Sequence, residues 1–493
     1  MIPKPQLDPQ SEVPLYQQLH RHFTGLIQSG SLKRGERLPP TRELAGLLGL
    51  NRTTVSAAYE LLEAEGLITG QVGRGSFVTG RDAAPVAGLN WEAILEASHV
   101  TPAQSALKPG ADTISFAVSR PCEELFPLED FRASCEEVMA GPDFASVLQL
   151  GSPGGYEPLR QYLIEGSRRE GVLRPGDDVM ITTGCQQALD LVRRVVMQPG
   201  DKVLVEEPVY PGVKNLFLES GAELTGIAVQ ANGMDVAQLE RALAKARFKA
   251  LVLTPNFQNP TGATMDRAGR EAILRLAHNA GMVVIENDIY GQLRYEGEAL
   301  PTLKQLDSTG DSLLVRSFSK ISFPGLRVGW GIGPRPLIAR MMEAKQLSDL
   351  HSDQLSQATL LHFALSGRLE THLARILEAG ASRLKAALTA CERYLPAGSR
   401  FTRPQGGMNL WVRLPEPLDA SELLGRAHRE GVSYLPGKYF AIHRAEPGSL
   451  RLSFAGVDPG RIEKGIEILG EIFSTELERQ RASRDREPAP AMV

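Results

Sequence analysis

Apolar positions over the first 80 residues recur at helical spacing in three short blocks, then switch to strand spacing. Leu15, Leu19, Phe23, Leu26 and Ile27 form one helical stripe that breaks at Ser29-Gly30. After Pro39-Pro40, Thr41 is placed to cap a second short helix with Leu44, Leu47 and Leu48 inward. Gly49-Leu50-Asn51 makes a tight turn. A third helix is predicted from about Arg52 to Glu65, with Val55, Ala58, Tyr59, Leu61 and Leu62 inward, and Gly66 stops it. Residues 67–69 and 76–79 then flank a glycine-rich tip, Gln71-Val72-Gly73-Arg74-Gly75, as a two-stranded wing. Residues 81–110 read as a linker rich in Ala, Pro and Gly, with one short apolar stretch at Trp91-Glu92-Ala93-Ile94-Leu95. From 111 to 478, strand-like runs at 202–205, 250–254, 282–285 and 312–318 alternate with helical patterns. That alternation predicts an α/β domain with a largely parallel sheet. A smaller α+β subdomain is expected from about 345, and the charged, Pro-Ala-rich stretch 479–493 reads as a disordered tail.

Composition narrows the class without naming a function. A chain of 493 residues can bury two or three cores, and 42% hydrophobic with 23% charged residues is the balance of a soluble globular protein. No apolar run approaches the ~18 residues that a membrane span needs. The opening MIPKPQLDPQSEVP places prolines where an export signal needs an apolar core, so a cytoplasmic location is expected. Cys122, Cys135, Cys185 and Cys391 are far apart and form no CxxC pair, so reduced thiols are expected, with neither a disulfide framework nor a metal site. A net charge of −4 means that any contact with nucleic acid has to come from a local face.

Such a face is offered by the N-terminal module. Helix, tight turn, helix and wing is the geometry that lays the second helix of the pair in the major groove of DNA. That helix opens with Asn51, Arg52, Thr53 and Thr54, and Ser56 follows one turn along; these polar groups suit base edges and phosphates. Arg42 and, on the wing tip, Arg74 are placed to hold phosphates on either side. Charge alone does not distinguish this from an ordinary solvated surface, since residues 31–80 hold six basic and five acidic side chains. The pattern does: LPPTRELAGLLGLNRTTVSAAYELLEAEGLI followed by GRGSFV closely resembles the GntR-family winged helix-turn-helix over residues 14–80. The resemblance implies double-stranded operator DNA as a partner.

The larger domain carries an ordered series of polar motifs at strand ends. Thr182-Thr183-Gly184-Cys185-Gln186-Gln187 is a small-residue turn opening a helix, a setting in which backbone N–H groups and the helix dipole hold phosphate. Tyr210 follows in Glu207-Pro208-Val209-Tyr210, and Asn259 lies in Pro255-Asn256-Phe257-Gln258-Asn259-Pro260-Thr261-Gly262. Asp288 ends an apolar run, with Tyr290 two residues on. Ser317-Phe318-Ser319-Lys320 ends another, with Arg327 after it, and Arg451 stands in Leu450-Arg451-Leu452-Ser453-Phe454. Each alone has an ordinary reading as a cap, a turn former or a surface charge. Together, SFSKISFPGLRVGW, IENDIYG and NPTG resemble the segments of aspartate-aminotransferase-type (fold type I) enzymes in family order over roughly residues 110–475.

That resemblance implies pyridoxal 5′-phosphate as cofactor, an aminotransferase-like α/β fold and a role for each residue. Lys320 is the Schiff-base lysine. Gly184, Cys185, Gln186, Ser317, Ser319 and Arg327 hold the phosphate. Asp288 keeps the pyridine nitrogen protonated, Tyr290 and Asn259 bond the ring's 3-oxygen, and Tyr210 stacks on the ring. Arg451, with Asn259, grips a substrate α-carboxylate. Relatives often have Ser or Ala where Cys185 stands, and many have a tyrosine at Leu150 that reaches the partner subunit's cofactor. A winged helix-turn-helix ahead of such a domain resembles the MocR subfamily of GntR-type regulators. The implied function is a homodimeric DNA-binding transcriptional regulator that senses an amino compound or the cofactor itself through aldimine formation. The alternative is a working amino-acid aminotransferase of the 2-aminoadipate type that carries a DNA-binding domain.

Overall fold

The computed structural model describes residues 13–71, 75–79, 112–443 and 445–484, together with Pro5, Leu7, Asp8, Ser11 and Trp91. Arg74, the linker at 81–110 apart from Trp91, and the chain beyond Arg484 lie outside the described residues. Two compact units divide between His99 and Val100.

In the first unit, helices α1 (Leu15–Gln28), α2 (Thr41–Leu48) and α3 (Arg52–Ala64) precede an antiparallel hairpin of β1 (Ile68–Gln71) and β2 (Gly75–Val78). Leu19 and Phe23 of α1 and Val55, Ala58 and Leu62 of α3 are fully buried, while Leu26, Ile27 and Leu48 pack at the margin of this core. Two predicted core leucines lie outside it: Leu47 is 64% exposed and Leu61 36%. At about 100° per residue Leu61 points roughly 110° away from the Val55–Leu62 face, and Leu47 sits on the far flank from Ala45, which takes the inward position. Thr41 is not the cap of α2: the helix begins at Thr41, flanked by Pro40, whose fixed φ suits that position, with no side-chain cap. Gly49 ends α2 at a left-handed φ of 66°, and Asn51 caps α3 by accepting the Thr53 N–H at 3.3 Å.

The second unit opens with β3 (Ile114–Ser115), which pairs in parallel with β14 (Val432–Ser433). Its main sheet has the order β4-β11-β10-β9-β8-β5-β6-β7. The strands are β4 (Asp177–Thr182), β5 (Lys202–Glu207), β6 (Glu223–Gln230), β7 (Gly233–Met234), β8 (Ala250–Leu253), β9 (Val283–Asn287), β10 (Ser312–Ser317) and β11 (Gly329–Pro334). The central strands β10, β9, β8, β5 and β6 run parallel, and β11 is reversed between β10 and β4. Both faces are buried, as the continuous apolar runs require. Val203, Val205, Val252, Ile285 and Leu313 pack on one side, and Leu204, Leu251, Leu253 and Val284 on the other.

A smaller antiparallel sheet follows, in the order β12 (Arg400–Phe401), β13 (Asn409–Arg413), β16 (Ser449–Ser453), β15 (Leu435–Pro436). Helices Arg368–Tyr394 and Pro459–Arg484 accompany it. The last helix takes in residues 479–484 of the stretch read as a disordered tail. Leu477 is buried on it, and Glu476 accepts from Arg479 and Gln480 at 2.8 Å, which extends the helix past the predicted boundary.

Candidate functional site

The parallel strands deliver their carboxyl ends to one edge, where open α/β sheets bind ligands. Lys320 ends a single 3-10 turn, Phe318–Lys320, directly after β10. Its Nζ donates to the Ser119 carbonyl at 2.7 Å and lies 5.9 Å from the centre of the Tyr290 ring. Tyr290, just past β9, is buried, and its hydroxyl accepts from Asn259 Nδ2 at 3.3 Å. Asn259 Oδ1 in turn accepts from Arg451 Nη1 at 3.1 Å. Four residues from distant parts of the chain thus form one line: Lys320, Tyr290, Asn259, Arg451.

Arg451 reaches this line from β16 of the smaller sheet. Its Nη2 donates to the Ala117 carbonyl, and its buried Nε has no partner. Burial pushes the guanidinium down to about 10, with Tyr290 and Tyr210 pulling against it. A buried arginine with an unused donor is suited to an arriving carboxylate.

Asp288 follows β9 directly and is buried. Its Oδ1 accepts from Asn256 Nδ2 at 2.8 Å and its Oδ2 from Arg316 Nε at 3.2 Å. Gly291 leaves room for this carboxylate, because a Cβ there would run into Oδ1. Asn256, Arg316 and Gly291 were not recognised in the sequence. The available signals were weak: one charged residue within the apolar run of β10, and an amide three residues before Asn259.

The opposite end of the site is a cradle. Gly184 opens the helix Gly184–Val196 at a φ of 76°, and a Cβ there would strike the Arg327 guanidinium. Arg327 itself adopts a left-handed φ of 54°, uncommon for a residue with a side chain. Cys185 is adjacent: burial pushes its thiol up, and Lys320 and Arg327 pull it back. Gln186 Nε2 donates to the Gly212 carbonyl at 3.3 Å beside Tyr210, whose hydroxyl burial pushes up to about 12. Ser317 and Ser319 stand with their hydroxyl oxygens 2.5 Å apart. The Ser317 hydroxyl already accepts the Ser319 N–H and reaches the Val328 carbonyl at 3.1 Å, so it braces the turn that carries Lys320.

This donor set fits pyridoxal 5′-phosphate: an amine for the aldehyde, a buried carboxylate for the ring nitrogen, a phenol and an amide for the ring oxygen, and a glycine-lined cradle facing an arginine for the phosphate. Among the described residues, no group of three or more His, Cys, Asp or Glu side chains is arranged to hold a metal ion.

In the first unit, Arg52 and Thr53 are exposed at the start of α3, Thr54 and Ser56 are both half-buried, and Arg42 is exposed at the start of α2. Asn51 is exposed but its side-chain oxygen is engaged as the cap of α3. Arg37 was not anticipated; it bridges to Phe77 of β2, and its guanidinium sits where a side chain at Gly75 would go.

Residues 124–469 match the model of class I and II aminotransferases, and residues 15–78 that of the gntR family of bacterial regulatory proteins. The HTH-type transcriptional regulator YdcR of Escherichia coli is 31% identical, the match covering 94% of this chain and 99% of that protein. The probable rhizopine catabolism regulatory protein MocR of Rhizobium meliloti is 28% identical over 95% of both. The crystal structure of LysN, an α-aminoadipate aminotransferase of Thermus thermophilus complexed with N-(5′-phosphopyridoxyl)-L-leucine, matches with a TM-score of 0.73. It is 33% identical, and the match covers 79% of this chain and 100% of that one. The chain belongs to the class I and II aminotransferase family and, with a gntR-family domain ahead of that fold, to the MocR-type regulators.

Proposed function

We propose that this protein is a DNA-binding transcriptional regulator whose aminotransferase-like unit, loaded with pyridoxal 5′-phosphate at Lys320, senses a carboxylate-bearing amino compound. The carrying observation is the Lys320–Tyr290–Asn259–Arg451 line, buried except at the half-buried Lys320, in a chain that also carries a gntR-type module. When bound, the cofactor supplies an aldehyde for an amine and an electron-accepting ring. The chain's own groups do the rest. Arg451 takes the ligand carboxylate through its free Nε, Asn259 holds both Arg451 and the Tyr290 hydroxyl in register, and Lys320 gives or takes a proton at Nζ. Tyr210, half-buried beside Gly212, shields the ring face from water. A ligand switches DNA binding only if it prefers one of two states of the protein, and one that fills the Arg451 site while engaging the group that Lys320 would hold would supply such a preference.

Lys320→Ala is expected to abolish both the absorbance near ~400–430 nm that a lysine-bound cofactor gives and the effect of amino compounds on operator binding in gel shifts. An unchanged ligand response in that variant rejects the mechanism.

The same reading includes a homodimer working in the cytoplasm. Support comes from exposed leucines beside the cradle: Leu148 and Leu150, with Leu347, Leu350 and Leu355 from the next segments. Gln354 ties these together by donating to the Gln149 carbonyl at 2.7 Å, and Ser352 meets the Thr183 hydroxyl at 2.9 Å. An apolar patch of this kind at the rim of a site fits coverage by a second copy. No helix among the described residues is long and apolar enough to cross a membrane.

One observation favours a second reading. The groups needed for transamination stand together, so turnover with 2-oxoglutarate and a panel of amino acids is the discriminating assay; sustained product formation makes the protein an aminotransferase as well.

A further inference from the structure

Asp288, the buried carboxylate read above as the partner of the cofactor's ring nitrogen, already accepts hydrogen bonds on both of its oxygens. Arg316 lies on β10, four residues before Lys320, with its side chain 13% exposed. Its Nε donates to Asp288 Oδ2 at 3.2 Å and its Nη1 to Glu170 Oε2 at 2.7 Å, and the Glu170 side chain is half-exposed. On the other side of Asp288, Asn256 holds Oδ1 and is itself held by Arg270 at 2.7 Å, a fully buried arginine that also donates to the Met265, Pro301 and Pro255 carbonyls. Glu286, two residues before Asp288, is pushed up to about 7 by burial and by Asp288 and accepts two backbone N–H groups, from Leu303 and Lys304. The permanent cation in direct contact with Asp288 is therefore Arg316, and its far end is balanced by an anion at the surface.

We infer that Arg316 is a positioning and tuning residue for the cofactor: it shares the negative charge of Asp288 and so weakens the hold of that carboxylate on a protonated pyridine nitrogen. The inference rests on the reading of Lys320 and Asp288 as cofactor contacts. A ring nitrogen that keeps its proton less firmly is a poorer electron acceptor. Lys320 could still exchange its place with an incoming amine, while removal of a proton from the ligand's α-carbon would be slowed. Arg316 would thus tilt a complete aminotransferase constellation toward sensing. The sign of the outer charge follows: Glu170 partly neutralises Arg316, so removing it makes Arg316 the stronger competitor for Asp288.

The test is the ¹⁵N chemical shift of the ring nitrogen in full-length protein loaded with ¹⁵N-labelled pyridoxal 5′-phosphate, followed across pH. Arg316→Met, which keeps length and removes charge, is expected to raise the proton affinity of that nitrogen on the order of tenfold, the scale of a partly compensated charge at an effective dielectric near 20. Glu170→Gln, at a half-exposed site, is expected to shift it the opposite way, and Arg316→Lys to stay near wild type. Single-turnover reaction with an amino acid should quicken in Arg316→Met. Loss of a merely structural brace would not give opposite signs for the two charge changes. Shifts that are equal in wild type and both neutral variants overturn the inference while leaving the proposed function intact; a protein that takes up no cofactor at Lys320 fails the proposed function instead. Should Arg316→Met not fold, Glu170→Gln decides, and no movement or movement toward firmer protonation in that variant overturns the inference.

Discussion

Arg451 shows how much one side chain here depends on its surroundings. In water an arginine is a hydrated cation; within β16 it is 4% exposed, keeps bonds to Asn259 and Ala117, and has a buried Nε with no partner. Leaving a charged donor unpaired is unfavourable, and a ligand carboxylate relieves it. Arg451→Lys keeps the charge and loses the planar fork. The variant is expected to keep its cofactor absorbance but lose roughly 1.5–3 kcal/mol of affinity for amino acids, ten- to a hundred-fold or more. Spectral titration with an amino acid and with the matching amine that lacks the carboxylate measures this. An equal loss for both ligands would show that Arg451 does not read the carboxylate. The type and approximate place of this residue were legible in RLSF; its unused donor was not, because that follows from how the two sheets meet.

At the scale of the element, the turn between α2 and α3 separates stability from recognition. Gly49 supplies a left-handed C-cap and Asn51 an N-cap, so the two helices are joined by a short turn, Gly49-Leu50-Asn51, whose backbone groups are largely committed. Asn51→Ala is expected to destabilise the first unit by ~1 kcal/mol, with DNA affinity falling as a consequence, whereas Asn51→Ser retains a cap and both properties. Arg52→Ala, at an exposed site, is expected to leave stability unchanged, to weaken DNA binding and to lower the salt slope by about one. Thermal unfolding of the full chain and salt-dependent gel shifts make the comparison; a DNA defect in Asn51→Ala with no stability change would reassign Asn51 from cap to base contact. Helical periodicity located these elements within a residue or two, but it counted Leu47 and Leu61 as core. A three-helix unit this small buries only a narrow stripe of each helix, and which flank is covered depends on the neighbours.

Across the whole molecule, buried ionisable groups give opposing pH trends. His372 is buried beside the rings of Phe323 and Phe363 with neither ring nitrogen partnered, and burial holds it down at about 4 from 6.5. Above 6.5 both folded and unfolded chains keep it neutral; between 6.5 and 4 only the unfolded chain takes up the proton, so stability falls as pH falls through that window. Glu206, fully enclosed, is pushed up from 4.5 to about 8, and its contribution is lost as pH rises across that range. His372→Phe is therefore expected to flatten the decline of the melting temperature between pH 6.5 and 4 relative to wild type. An unaltered slope would mean that the histidine titrates normally. For assembly, Leu347→Asp in the exposed leucine patch is expected to convert a dimer to a monomer by sedimentation and to weaken operator binding. A wild-type protein that sediments as a monomer removes the homodimer from the proposal.

The order of motifs along the chain was enough to determine the two folds, because strand ends, glycine turns and helical stripes are local consequences of residue type, and the family resemblance those motifs carry gave the cofactor class and pointed to Lys320 as its proposed anchor. What needed the tertiary structure was which polar groups share which partner. Asn259 joining Tyr290 to Arg451 across 192 residues, Asn51 engaged as a cap, and Arg316 and Asn256 dividing Asp288 between them are contacts between segments whose spacing in sequence carries no information about distance. Such pairings are set by the packing of sheet against sheet and strand end against strand end, where the low-dielectric interior makes each shared charge matter.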